Sequence, residues 1–149
     1  MCTSCVLRYA CTCICTRAHS CTGALPVLLD LLSVGKAQTP AAYALANLAK
    51  RNGETQLLIA SSGGIAPLLA LLNGRNLDAA VQAASALAEL ARDNPDTQGG
   101  VAKAGGIRPL LALVVESRSP AAQSRAMEAL GELPGAHTYA HMHPPMCMH

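Results

Sequence analysis

An all-α protein of stacked helical repeats is the fold this sequence predicts, on three observations. Ala and Leu supply 28 and 22 of the 149 residues, and both are strong helix formers. Phe and Trp are absent and Tyr occurs three times, too few aromatic side chains for the half-buried faces of a sheet. The chain also repeats itself about every 42 residues, a period at which small helical units stack on copies of themselves.

Three sets of markers keep the register. Gly23-Ala-Leu-Pro-Val-Leu-Leu-Asp-Leu-Leu32, Gly64-Ile-Ala-Pro-Leu-Leu-Ala-Leu-Leu72 and Gly106-Ile-Arg-Pro-Leu-Leu-Ala-Leu-Val114 align on prolines 26, 67 and 109. Ala44-Leu-Ala-Asn-Leu-Ala49, Ala86-Leu-Ala-Glu-Leu-Ala91 and Ala129-Leu-Gly-Glu-Leu-Pro134 align on leucines 45, 87 and 130. Asn52, Thr55, Gln56, Gly63 and Gly64 recur as Asn94, Thr97, Gln98, Gly105 and Gly106, every step being 42.

Each unit reads as three helices. The first is short and stops at a Gly-Gly pair, where glycine supplies a left-handed residue. Gly99 and Gly100 weaken this helix in the last unit, by about 1 kcal/mol each relative to Ala. The second helix carries Pro in its first turn, where a missing N–H is harmless, and continues as Leu-Leu-x-Leu-Leu. The third is the longest. Thr39 before Pro40, Asn76 or Asp78, and Ser119 before Pro120 are its candidate caps. Val81, Ala84, Leu87, Ala88 and Ala91 form an apolar stripe at helical spacing along it. Leu68, Leu69, Leu72, Leu87, Leu90, Leu110, Leu111 and Leu130 make up the expected shared core. The first unit lacks its opening helix, since Ser20-Cys21-Thr22 stands in its place.

With only 13% charged residues and a net charge of +2, no basic stripe marks a nucleic-acid footprint. No apolar run approaches the ~20 residues that span a bilayer. Six of seven cysteines lie in the first 21 residues, which is not how a disulfide scaffold distributes them. A reducing setting, cytoplasmic or nuclear, is therefore expected. The body contains no His and no Cys, so a His-based nucleophilic site has no parts there. No glycine-rich phosphate loop occurs, and an enzyme is not expected.

The Gly-Gly-Ile-x-Pro-Leu-Leu junction and the Ala-Leu-x-Asn-Leu-Ala segment resemble the armadillo repeat, across residues 23–134. The resemblance implies a right-handed α-solenoid of about three helix-triplet repeats, at 23–51, 52–93 and 94–134. It also implies a groove of third helices that holds an extended peptide and acts as a non-catalytic scaffold or adaptor. Importin-like members place a Trp, and four residues later an Asn, on that groove. Tyr43 and Asn47 stand at those positions in the first repeat; the second has Ser85 and Glu89, the third Glu128 and Glu132. The expected partner-binding residues are Tyr43, Asn47, Gln82, Ser85, Glu89, Arg125, Glu128 and Glu132. Acids at equivalent positions favour a basic ligand by complementarity. The uncapped ends suit further repeats or self-association.

The flanks, 1–22 and 135–149, are expected to be disordered. Cys2-x-x-Cys5 has the spacing of a zinc half-site, but Cys11, Cys13 and Cys15 do not repeat it. Palmitoylation of Cys2 or Cys5 is a second possibility. His137, His141, His143, Cys147 and His149, with Met142, Met146 and Met148, could hold copper or zinc, although Pro144-Pro145 prevents one helix from presenting them together. No cofactor is expected. The competing readings are a Cys/His-rich metal-binding protein carried on a helical body, and a non-functional fragment of a longer armadillo protein.

Overall fold

The computed structural model describes residues 24–134; the expectations for both flanks lie outside the described residues. Eight helices and no strand occur among them: α1 (Leu25–Leu31), α2 (Gln38–Ala49), α3 (Gly53–Ser61), α4 (Ile65–Leu72), α5 (Leu77–Ala91), α6 (Pro95–Lys103), α7 (Ile107–Glu116) and α8 (Pro120–Glu132). They fall into a pair, α1–α2, followed by two triplets, α3–α5 and α6–α8. The fold is an all-α solenoid.

The local chemistry repeats with the units. Asn52 and Asn94 adopt extended backbone and accept hydrogen bonds from the amides of Thr55 at 3.1 Å and Thr97 at 3.4 Å, capping α3 and α6. Both helices then end in the same six-residue closure. Gly64 N donates to Ile59 O at 2.9 Å and Gly63 N to Ala60 O at 3.1 Å, and Gly106 and Gly105 do the same to Val101 and Ala102. The two glycines of each pair have different reasons to be there. Gly63 and Gly105 have φ of 77° and 78°, a conformation that costs an L-residue about 1–2 kcal/mol. Gly64 and Gly106 have ordinary φ, but a Cβ would lie 2.7 Å from Ile59 Cγ2 or Val101 Cγ1.

Between the third helix of one unit and the first of the next, the chain turns on one left-handed residue without glycine: Arg51 and Asp93, both at φ 55°. Asn76 caps α5 through Ala79 N at 3.3 Å. Thr39 does not cap α2, which begins at Gln38 after an α-conformation Ala37. Ser119 occupies the cap position of α8 but makes no side-chain cap bond. Gly99 and Gly100 sit within α6, and Gly100 has a packing reason: its Cβ would approach Ile65 Cδ1 at 3.2 Å.

α5 packs against α2 on one side and α8 on the other, with α4 beneath it. That sandwich buries nine of its fifteen residues, so its apolar surface is far wider than one stripe; Val81 lies at its partly buried edge. Small side chains make the close approach possible: Ala42, Ala83, Ala84, Ala86, Ala122 and Ala126 are fully buried. Leu68, Leu69, Leu72, Leu87, Leu90 and Leu110 are in the core as expected. Leu111 and Leu130 are only partly buried, because the last unit has no described neighbour beyond it. The proline alignment also slips by one residue in the first unit. Pro26 is the second residue of α1, whereas Pro67 and Pro109 are the third of α4 and α7. Packing restores the register, since Leu29 lies against Gly64 as Leu69 lies against Gly106.

Candidate groove of third helices

The polar positions of the third helices come from the residues that packing leaves over. On α5 these are Gln82, Ser85 and Glu89, spaced three and four apart and all partly buried. On α2 the matching positions are Tyr43, 53% exposed, and Asn47, also exposed. On α8 they are Glu128 and Glu132, partly buried, with exposed Arg125 one turn before Glu128. Since α5 lies between α2 and α8, the eight residues share three adjacent helices, in the order α2, α5, α8.

Arg92, at the C-terminus of α5, changes the electrostatics of this row. Its Nη2 donates to Glu128 Oε1 at 2.6 Å, across 36 residues, and its Nε lies 3.6 Å from Glu89 Oε2. The Nε is buried without a hydrogen bond, held by charge attraction alone. Arg125 Nη1 donates to the other carboxylate oxygen, Glu128 Oε2, at 2.9 Å. Glu128 therefore has a guanidinium on each oxygen. Burial pushes its carboxyl up, but the hydrogen bonds from Arg125 and Arg92 outweigh this and hold it below the ordinary carboxylate value. The hydrogen bond to Glu128, with Glu89 and Glu132 nearby, raises the Arg92 guanidinium in turn. Three carboxylates against two guanidiniums leave this end of the row only slightly acidic.

Beneath the row a buried amide network fastens one unit to the next. Gln56 Nε2 lies 3.2 Å from Ala49 O, 2.7 Å from Glu89 O and 3.4 Å from Arg92 O. Its Oε1 accepts from Asn94 Nδ2 at 3.1 Å, while Asn94 Oδ1 caps α6. One unit later Gln98 Nε2 donates to Ala91 O at 2.8 Å, and the Thr97 hydroxyl donates to Leu90 O. The free carbonyls at the end of α2 are thus satisfied from α3, and those at the end of α5 from Gln56 of α3 together with Thr97 and Gln98 of α6, which ties the ends of successive third helices together.

Sequence reasoning did not find Arg92, Gln56 or Asn94 as actors. Arg92 stands three residues after Glu89, a helical ion-pair spacing, and that was an available signal. The roles of Gln56 and Asn94 had only their repetition at 42 residues to mark them. Among the described residues no group of three or more His, Cys, Asp or Glu could hold a metal ion. No described helix is long and apolar enough by itself to cross a membrane.

No protein-family model matches the sequence, and no curated protein matches it either. Solved structures do. An engineered protein superposes with a TM-score of 0.73 at 27% identity, over 78% of this chain and 49% of that one. A designed armadillo repeat protein in complex with the peptide (KR)4 gives a TM-score of 0.70 at 28% identity, covering 74% of this chain and 46% of that one. A computationally designed armadillo repeat protein for modular peptide recognition gives 0.70 at 27%, over 75% and 48%. The chain spans about half the length of these structures. It has the armadillo-like repeat fold.

Proposed function

We propose that this armadillo-like solenoid is a non-catalytic interaction module that holds an extended peptide along α2, α5 and α8. The observation that carries the reading is the placement of Tyr43, Asn47, Gln82, Ser85, Glu89, Arg125, Glu128 and Glu132 on three adjacent helices, each exposed or only partly buried. Two structures with the same fold support it. One is designed for modular peptide recognition and one is bound to the alternating basic peptide (KR)4.

The exposed Asn47 amide can both donate to and accept from a peptide backbone, and Tyr43, one turn away, offers an apolar wall with a polar tip. At the α5–α8 end, ligand selection would be electrostatic. Because Arg92 and Arg125 already occupy Glu128 and Arg92 partly offsets Glu89 at 3.6 Å, Glu132 and the remaining charge of Glu89 are what is left to meet a cationic side chain. The ligand is accordingly read as a peptide with basic residues towards α8 and little charge preference towards α2. A cytoplasmic, or else nuclear, setting is proposed with it, on the uneven cysteine distribution that speaks against a disulfide scaffold.

Titration calorimetry tests this with three peptides of equal length: (KR)4, an acidic counterpart and a Ser/Gly control. Tighter binding of (KR)4 that weakens with added salt is the expected result. Equal heats for all three, or none with any, would remove the groove reading.

A further inference from the structure

The same helical position can be compared in all three units, and the comparison separates two faces. Ala42 and Ala84 are fully buried, yet Met127, their equivalent in α8, is 62% exposed. Leu45 and Leu87 are buried where Leu130 is partly exposed, and Ile65, Leu69 and Leu72 are buried where Ile107, Leu111 and Val114 are not. These positions point forward, towards the next unit. Leu69 and Ile65 confirm the direction, since they lie against Gly106 and Gly100 of the following unit.

A second set shows the opposite trend. Leu68, Leu71, Ala86 and Leu90 are buried in the middle unit, and their equivalents Leu110, Leu113, Ala129 and Leu133 are buried in the last. In the first unit Leu28, Leu31, Ala44 and Leu48 are only partly buried. This set points backward.

Among the described residues two forward faces already have a backward face as partner: α2 on α5, and α5 on α8. One forward face, on α7 and α8, and one backward face, on α1 and α2, are left without a described partner. We propose that the forward face of one copy docks on the backward face of a second copy, continuing the solenoid head to tail. The two surfaces are built from the same positions that pack together twice within the chain, which identifies the occupant. Met127 fits this contact, because an unbranched, flexible side chain fills irregular gaps and Ala44 on the opposing face is small. A head-to-tail contact of this kind uses two different surfaces and does not close on itself, so it grows beyond two copies.

Sedimentation of the full chain under reducing conditions tests the proposal, with two variants that each spoil one face, Met127→Glu and Ala44→Glu. Circular dichroism confirms that both keep the parent helicity. The parent mass is expected to climb with concentration past two copies, and each variant alone to remain at the monomer mass. Mixing the variants should restore a complex of two copies and no more, because one supplies an intact forward face and the other an intact backward face. The parent chain needs no variant to be informative: a monomer at millimolar concentration overturns the proposal, whether residues 135–149 or another protein covers the face. Association that stops at two copies, or variants that associate alone or fail to complement, overturns it as well.

Discussion

The side-chain amide of Gln56 donates to the backbone carbonyl of Glu89 at 2.7 Å, joining α3 to the last turn of α5 across 33 residues. Its Oε1 meanwhile accepts from Asn94, so one buried side chain connects three segments. Removing it would leave buried carbonyls and the Asn94 amide without partners. Gln56→Ala is expected to destabilise the fold by about 1–3 kcal/mol. Gln56→Glu should cost at least as much, since a carboxylate cannot donate to those carbonyls. Urea denaturation measures both. Gln98→Ala, which removes a bond to Ala91 alone, serves as the milder comparison.

The burial pattern sets the expected effects of truncation in the core. Leu87 is 1% exposed within the α2–α5–α8 sandwich, and Leu87→Ala should cost about 2–5 kcal/mol. Leu130→Ala, at the equivalent position on the uncovered face, should cost clearly less in the monomer. Equal losses in thermal melts would mean that α8 is covered on that side.

The glycine pairs make a contrasting set. Gly64→Ala places a Cβ 2.7 Å from Ile59 Cγ2 and 2.9 Å from the Ile59 carbonyl oxygen. The oxygen belongs to the helix backbone and cannot turn aside, so a loss of about 1–3 kcal/mol is expected. Gly53→Ala, at the open start of α3 with nothing within 4 Å, should be neutral or stabilising by up to about 1 kcal/mol. Chemical denaturation of the two variants side by side checks the distinction.

Much of this architecture was legible because its determinants are local and repeated. Asn52 and Asn94 cap helices whose first turns they begin, and Gly63 and Gly105 end them, so short-range chemistry leaves its mark every 42 residues. Thr39 misled because a Thr-Pro pair looks like a helix start, whereas the preceding turn already brings Ala37 into helical backbone. Leu111 and Leu130 misled because pattern marks which residues are apolar, not whether a neighbour exists to cover them. The groove positions followed from the repeat register, but their charge did not. Arg92 reaches Glu128 across 36 residues, a contact created by stacking α8 on α5 and absent from any short-range spacing.

The doubly paired carboxylate of Glu128 gives a pH signature. Its pKa in the fold lies below the ordinary carboxylate value, so the folded state holds fewer protons than the unfolded one. Its contribution is therefore present above the unfolded pKa, near about 4.3, and is lost as pH falls through the lower folded value. The side chain is about one-third exposed, so screening keeps the contribution within about 1 kcal/mol. Glu128→Gln should accordingly melt slightly below the parent at pH 7 and coincide with it once the parent carboxyl is protonated in both states. A difference that persists unchanged at the acid end would show that the two guanidiniums do not bias this titration.

Arg92 also provides the sharpest test of the proposed groove. Its guanidinium is paired with Glu128 and attracted to Glu89, and so offsets carboxylates that would otherwise meet a basic ligand. If the peptide crosses α5 and α8, Arg92→Gln should strengthen (KR)4 binding and steepen its loss with salt, since exposed charges are screened beyond about 8 Å at physiological ionic strength. Reversing Glu89 and Glu132 to Lys should abolish most of that binding. Asn47→Ala, on α2, should instead weaken basic and neutral peptides alike, because it removes a backbone contact and no charge. The three variants thus move affinity in three distinguishable ways. Calorimetry across the peptide panel at two salt concentrations separates them. If Arg92→Gln leaves (KR)4 affinity untouched while the Glu89 and Glu132 reversals reduce it, the ligand meets those acids at the C-terminal ends of α5 and α8 without displacing the Arg92–Glu128 pair. If none of the three changes affinity, the ligand does not follow the third helices at all.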